Sequence, residues 1–122
     1  MAEILIVDDD DVIRETLFEL LSTSYGCETA VTAEQALEKL GAQPVDVLLT
    51  DINLPGLSGR ELLAQMRQRF PQTPVIIISG LSDEEEAQQL ITMGAFDYLL
   101  KPFRLEVVEA SVSRALEARG VD

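Results

Sequence analysis

Ile4-Leu5-Ile6-Val7 is followed at once by Asp8-Asp9-Asp10-Asp11, and this abrupt change from apolar to acidic decides how the chain is read. A short, continuously apolar run suits a strand covered on both faces, as in a parallel sheet. Four further runs follow at Cys27–Val31, Val45–Thr50, Val75–Ser79 and Phe96–Leu100. The second of the five, Cys27-Glu28-Thr29-Ala30-Val31, is more polar and suits a sheet edge. Between and after the runs lie apolar stripes with helical spacing. They are Ile13, Leu17, Leu20 and Leu21; Ala33, Ala36, Leu37 and Leu40; Leu62, Met66 and Phe70; Ala87, Leu90 and Ile91; and Leu105, Val108, Val112 and Leu116. Thr32…Gln35, Ser58…Glu61 and Ser82…Glu85 have capping-box spacing, and Asp11 is expected to cap the first helix. Gly26, Gly41 and Gly94 stand where helices are expected to stop. The alternation βαβαβαβαβα leaves room for a crossover helix in every gap. It predicts an α/β fold: a doubly wound, five-stranded parallel sheet with five helices on its two faces.

Composition narrows the function. The 122 residues are enough for one core, and no linker, repeat or charge block divides them, so residues 1–122 read as a single domain. A hydrophobic fraction of 47% with 25% charged residues describes a globular chain and not a disordered one. Nine Lys+Arg against 22 Asp+Glu give a net charge of −13, which disfavours direct nucleic-acid contact by this domain. No apolar run approaches the roughly 18–20 residues that span a bilayer, so no membrane partner is expected. Met1-Ala2-Glu3 lacks the basic start of a signal peptide, and the lone Cys27 cannot form an internal disulfide. Both imply a cytoplasmic location, with Cys27 acting as a small hydrophobe. The chain has no histidine, which excludes His-based triads, His zinc sites and a phosphohistidine of its own.

In an open α/β sheet, ligands bind outside the carboxyl ends of the strands. The residues that stand there are Asp8–Asp11 after the first run, Asp51 and Asn53 after the third, Ser79-Gly80 after the fourth and Lys101-Pro102 after the fifth. Carboxylates gathered on one edge repel unless a cation is among them, and hard oxygen ligands suit Mg²⁺. An ionised Asp can act as a nucleophile without a general base. A divalent metal, a lysine, a hydroxyl and backbone N–H groups together match the needs of phosphoryl transfer. Taken singly, each residue also has a plainer reading. Ser79 can close a turn, Lys101 can be a solvated strand end, and Tyr98 can pack in its strand whatever the function. Asp10 is left open, as a solvent-facing neighbour of the metal or as part of an acidic run. Asp83-Glu84-Glu85-Glu86 reads most simply as a first helical turn favoured by the helix dipole.

Four motifs then occur in register: Ile4-Leu5-Ile6-Val7-Asp8-Asp9-Asp10; Leu48-Leu49-Thr50-Asp51-Ile52-Asn53-Leu54-Pro55-Gly56; Ile78-Ser79-Gly80; and Phe96-Asp97-Tyr98-Leu99-Leu100-Lys101-Pro102-Phe103. Over essentially its whole length the chain resembles the receiver domain of bacterial two-component response regulators. That resemblance implies the flavodoxin-like strand order 2-1-3-4-5. It implies Asp51 as phosphoacceptor for a sensor histidine kinase, with Mg²⁺ held by Asp8, Asp9, Asp51 and the backbone carbonyl of Asn53. Ser79 and Lys101 are implied as phosphate contacts, Tyr98 as an aromatic that changes rotamer, and Lys101-Pro102 as a cis bond. The signal would leave by the face of helix 4, strand 5 and helix 5 toward an output domain or downstream protein. The domain would be a monomer or a phosphorylation-dependent dimer. Such a domain catalyses only its own phosphorylation and dephosphorylation and is not an enzyme with a metabolite substrate. Gly80 and Leu81 bear on phosphate lifetime: Gly80 leaves water a path, Leu81 offers it no help, and a lifetime of minutes is expected.

Rival readings fit less well. Asn53 replaces the second acid of an aspartyl-phosphate hydrolase, and Asp8–Asp11 replace the phosphate loop of a flavin or nucleotide module. A pure interaction module would not need the full acid set with Ser79 and Lys101. Phe96 stands where receivers of the winged-helix class carry an acid. The ending Ser113-Arg114-Ala115-Leu116-Glu117-Ala118-Arg119-Gly120 resembles a linker helix entering an AAA+ activator.

Overall fold

Ile, Val and Leu lose little by being extended and pack well on a pleated surface, and they dominate the strands. The computed structural model describes residues 1–80 and 83–120. Its elements alternate without exception: β1 (Glu3–Val7), α1 (Asp11–Ser22), β2 (Gly26–Ala30), α2 (Ala33–Ala42), β3 (Val47–Asp51), α3 (Gly59–Arg69), β4 (Val75–Ser79), α4 (Glu84–Thr92), β5 (Asp97–Leu100) and α5 (Leu105–Arg119). All four strand pairings are parallel, and the order is β2-β1-β3-β4-β5, the flavodoxin-like order expected.

Alternate residues of each strand face opposite sides and build two cores. Leu5, Val7, Leu48 and Ile77 pack with Ala36 and Leu40 of α2, Leu62 and Met66 of α3, and Leu90 of α4. Ile4, Ile6, Leu49, Ile76 and Ile78 pack with Leu17 and Leu21 of α1 and Val108, Val112 and Leu116 of α5. Burying one such side chain contributes about 1.5–3 kcal/mol, so the sheet is the rigid base on which everything else is placed. The polar second run is an edge strand, as expected. Lys39 Nζ donates to the Thr29 carbonyl (2.5 Å) and pairs with Glu28 (3.4 Å), which places a charge over that open edge.

Several local expectations are corrected. The cap of α1 is Asp10, not Asp11: Asp10 has extended backbone, and its carboxylate accepts from the N–H groups of Val12 and Ile13. Asp11 is instead the first helical residue and pairs with Arg14. Ser58 and Glu61 form a complete capping box. Thr32 caps α2, but Gln35 Oε1 reaches the N–H of Val31 and not that of Thr32. Ser82 and Leu81 lie outside the described residues, and α4 is capped by Asp83. Gly94, at φ 109°, ends α4 in a conformation that other residues avoid. Gly41 lies inside the last turn of α2, where its cost is small, and Gly26 opens β2. Ile91 and Leu105 continue their helical stripes in sequence yet remain 47% and 42% exposed, because α4 and α5 flank the edge strand β5.

Candidate functional site

Parallel register brings the strand ends level. Val7 pairs with Thr50, Asp51 with Ile78, and Ser79 with Leu100. Asp8 therefore follows β1, Asp51 closes β3, Ser79 closes β4 and Lys101 follows β5 on one edge of the sheet. Asp8, Asp9 and Asp51 each offer a carboxylate oxygen, and these oxygens all lie within 4.8 Å of one another. Lys101 Nζ stands 3.3 Å from Asp51 Oδ2 and 3.6 Å from Asp8 Oδ2. Two of the three carboxylates, Asp8 and Asp51, thus share one ammonium.

Asp8 carries the strain of this arrangement. It is buried, its Oδ1 accepts the Asp10 N–H (2.9 Å), and Oδ2 has no hydrogen-bond partner among the described residues. Burial pushes its carboxyl above the usual carboxylate range, and the charges of Asp51 and Asp9 push the same way. The Asp10 N–H and Lys101 only partly oppose them. A buried anionic oxygen with no hydrogen bond among the described residues, beside two further carboxylates, fits a hard divalent cation that keeps several waters, as Mg²⁺ does.

The surroundings hold the acids in place. Arg14 Nη1 donates to the Asp8 carbonyl (2.9 Å), and Asp8 N–H donates to Ala30 O (3.1 Å). Thr50 Oγ1 donates to the Asp51 carbonyl (3.0 Å). Gly59 N–H donates to Ile52 O (2.8 Å), and a Cβ on Gly59 would stand 2.5 Å from Asp51 O. Only glycine permits α3 to start so close to Asp51. Asn53 stands exposed in the loop between β3 and α3. Ser79 is fully buried, and its hydroxyl is hydrogen-bonded to that of Tyr98. Tyr98 also donates to Glu86 Oε1 (3.3 Å) on α4. Burial pushes the Tyr98 hydroxyl up, and the Glu86 charge adds to the shift. Among the described residues, nothing lies within 4 Å of where a Gly80 Cβ would be. The Lys101-Pro102 bond is cis.

The edge therefore gathers Asp8, Asp9, Asp51, Ser79 and Lys101, with Tyr98 behind Ser79. Sequence reasoning missed the roles of Arg14 and Glu86. An arginine at i+3 from an Asp is a weak signal, and Glu86 meets Tyr98 only through the placement of α4. Cys27 is half-buried and its thiol is pushed up by burial, which keeps it protonated. Among the described residues, no helix is long and apolar enough to cross a membrane.

The family described as the response regulator receiver domain matches residues 4–113. The DNA-binding transcriptional regulator NtrC of Escherichia coli (strain K12) is 43% identical over 112 residues, covering 91% of this chain and 24% of that protein. NtrX from Brucella abortus superposes with a TM-score of 0.92 at 34% identity, covering 98% of this chain and 27% of that one. A response regulator receiver domain protein from Clostridium thermocellum gives a TM-score of 0.92 at 28% identity, with 98% of each chain covered. The chain thus spans about a quarter of the length of the curated relatives it matches. With a matched span that takes in all five strands and the whole acid edge, the chain belongs to the response regulator receiver domain family of two-component signalling.

Proposed function

We propose that residues 1–122 act as one receiver that takes a phosphoryl group on Asp51 from the phosphohistidine of a sensor histidine kinase. One observation carries this reading: of the two buried carboxylates of the acid cluster, Asp51 stands nearer the Lys101 ammonium, at 3.3 Å against 3.6 Å for Asp8. An Asp51 carboxylate oxygen attacks phosphorus, the P–N bond to the donor breaks, and the electron pair leaves with the imidazole. Asp8, Asp9, Asp51 and the carbonyl of Asn53 would hold Mg²⁺, which supplies positive charge to the transferred group when bound. Lys101, already 3.3 Å from Asp51, pairs with the added dianion. The same edge, where no described residue fills the space beside the Gly80 Cα, lets water reach the acyl phosphate, so the domain reverses its own modification.

The output follows from Ser79. A hydrogen bond from its hydroxyl to a phosphate oxygen is charge-assisted and worth roughly 1.5–3 kcal/mol, more than its contact with the neutral Tyr98 hydroxyl. Ser79 therefore releases Tyr98 when Asp51 is modified. Tyr98 is tied to Glu86 of α4, so the face formed by α4, β5 and α5 changes. Ile91, Leu100 and Val107 stand exposed on those elements, ready for an output domain or downstream protein. Acetyl phosphate with Mg²⁺ should add one phosphoryl mass to the wild-type chain and none to Asp51→Asn. A phosphoryl mass on Asp51→Asn under the same conditions would refute the assignment.

A further inference from the structure

Helix α4 is the least firmly seated helix of the molecule. Leu90 is its one buried side chain, whereas α5 buries five. Its other ties are polar and reach it from two sides. From β5, Tyr98 donates to Glu86. From α3, Arg60 Nη2 donates to Gln89 Oε1 (2.8 Å) while Nη1 lies 3.4 Å from Met93 Sδ. Gln89 and Met93 are four residues apart and share a face, so one guanidinium spans the end of α4. Sulfur is a weak acceptor, so Gln89 supplies the bond and Met93 the fit.

Arg60 is itself tied to the acid edge. Gly59, the residue before it, is pressed against the backbone of Asp51 and Ile52 with no room for a Cβ. A helix start docked this closely follows any displacement of the Asp51 segment. We infer that Arg60 is a positioning residue that couples the Asp51 segment to α4, by a route separate from the Ser79–Tyr98 hydroxyl pair. The inference rests on the receiver reading, since it takes Asp51 as the residue whose modification is transmitted. Among the described residues, two short polar straps hold α4 where it is seen here. With so little of α4 buried, losing one of them changes how often the helix leaves that position.

The test uses the full chain and backbone amide NMR of residues 83–100, with and without Mg²⁺ and beryllofluoride, together with amide hydrogen exchange. Wild type, Arg60→Ala, Arg60→Lys, Gln89→Ala and the Arg60→Ala/Gln89→Ala double variant are compared. In the absence of beryllofluoride, α4 amides of Arg60→Ala should move along the line joining the free and beryllofluoride-bound wild-type positions. That movement should correspond to an active-to-resting ratio raised about two- to fivefold, with α4 exchange faster by a similar factor. Gln89→Ala should move them the same way, the double variant no further, and Arg60→Lys should return them toward wild type. Unmoved α4 amides with unchanged exchange in Arg60→Ala, or additive effects in the double variant, overturn the inference. A wild type that ignores beryllofluoride counts against the receiver reading instead. The strap is then judged by hydrogen exchange and by the non-additivity of Arg60 and Gln89, neither of which requires activation.

Discussion

The two ends of the sheet treat their carboxylates in opposite ways. At the amino end, Asp46 and Asp97 are both satisfied. Asp46 accepts from the N–H of Glu3 (2.8 Å) and from Arg119 Nε (3.3 Å). Asp97 Oδ2 accepts from the buried Ser111 hydroxyl (2.7 Å) and from Arg114 (2.9 Å). Arg119 also donates to Gln72 O (2.6 Å), so the last turn of α5 is fastened to the starts of the strands. At the carboxyl end, Asp8 and Asp51 share Lys101 with Asp9 close by, and among the described residues Asp8 Oδ2 has no hydrogen bond. Acids paired within the chain hold helices to the sheet. Acids left in excess store repulsion that a cation can relieve, and they lower stability until it does so.

This contrast is most sharply tested at Asp8. Asp8→Asn should weaken Mg²⁺ binding at least tenfold, measured by titration calorimetry, because it removes one of the three gathered carboxylates. The same variant should raise the melting temperature of the metal-free protein by roughly 2–6 °C, as expected for about 1 kcal/mol in a chain of this size. The sign follows from burial. A carboxyl pushed above its ordinary range destabilises the fold wherever it is ionised and the unfolded chain would be ionised too, so neutral pH is where removing the charge helps. A metal-free Asp8→Asn that melts lower than wild type would break the contrast.

The amino end should respond with the opposite sign. Asp97→Ala leaves the fully buried Ser111 hydroxyl and Arg114 without their partner. A loss of about 1–2 kcal/mol is expected in urea unfolding, with the yield of phosphorylation by acetyl phosphate unchanged. A comparable loss of phosphorylation would mean that the two ends are not separable.

The smallest effect is expected at Gly80. No described residue meets a Cβ there, so Gly80→Ala should fold normally and slow loss of the acyl phosphate by about two- to threefold, read from phosphoprotein decay after the donor is removed. Unchanged decay would show that water access beside Gly80 does not limit hydrolysis.

The fold was legible because its signals are local. Five apolar runs with polar ends fix strand identity, and the strand ends alone point to Asp8, Asp51, Ser79 and Lys101. What escaped depends on a single residue of backbone geometry or on distant packing. Asp10 and Asp11 are both good caps, and only the extended backbone of Asp10 decides between them. Glu86 and Tyr98 are 12 residues apart, and Arg60 and Gln89 29 apart. No periodicity links such pairs, and their side chains meet only once the helices have been laid on the sheet.

The division of the interior by the sheet matters to anyone who would redesign this chain. Leu5 and Ile6 are neighbours in sequence but belong to different cores, one shared with α2, α3 and α4 and the other with α1 and α5. Substitutions on opposite sides have few common contacts, so their effects should combine nearly independently, whereas changes on one side must be chosen together. Drift, recombination or a protein engineer can therefore repack the half that carries α1 and α5 while the half beneath α4 keeps its tuning.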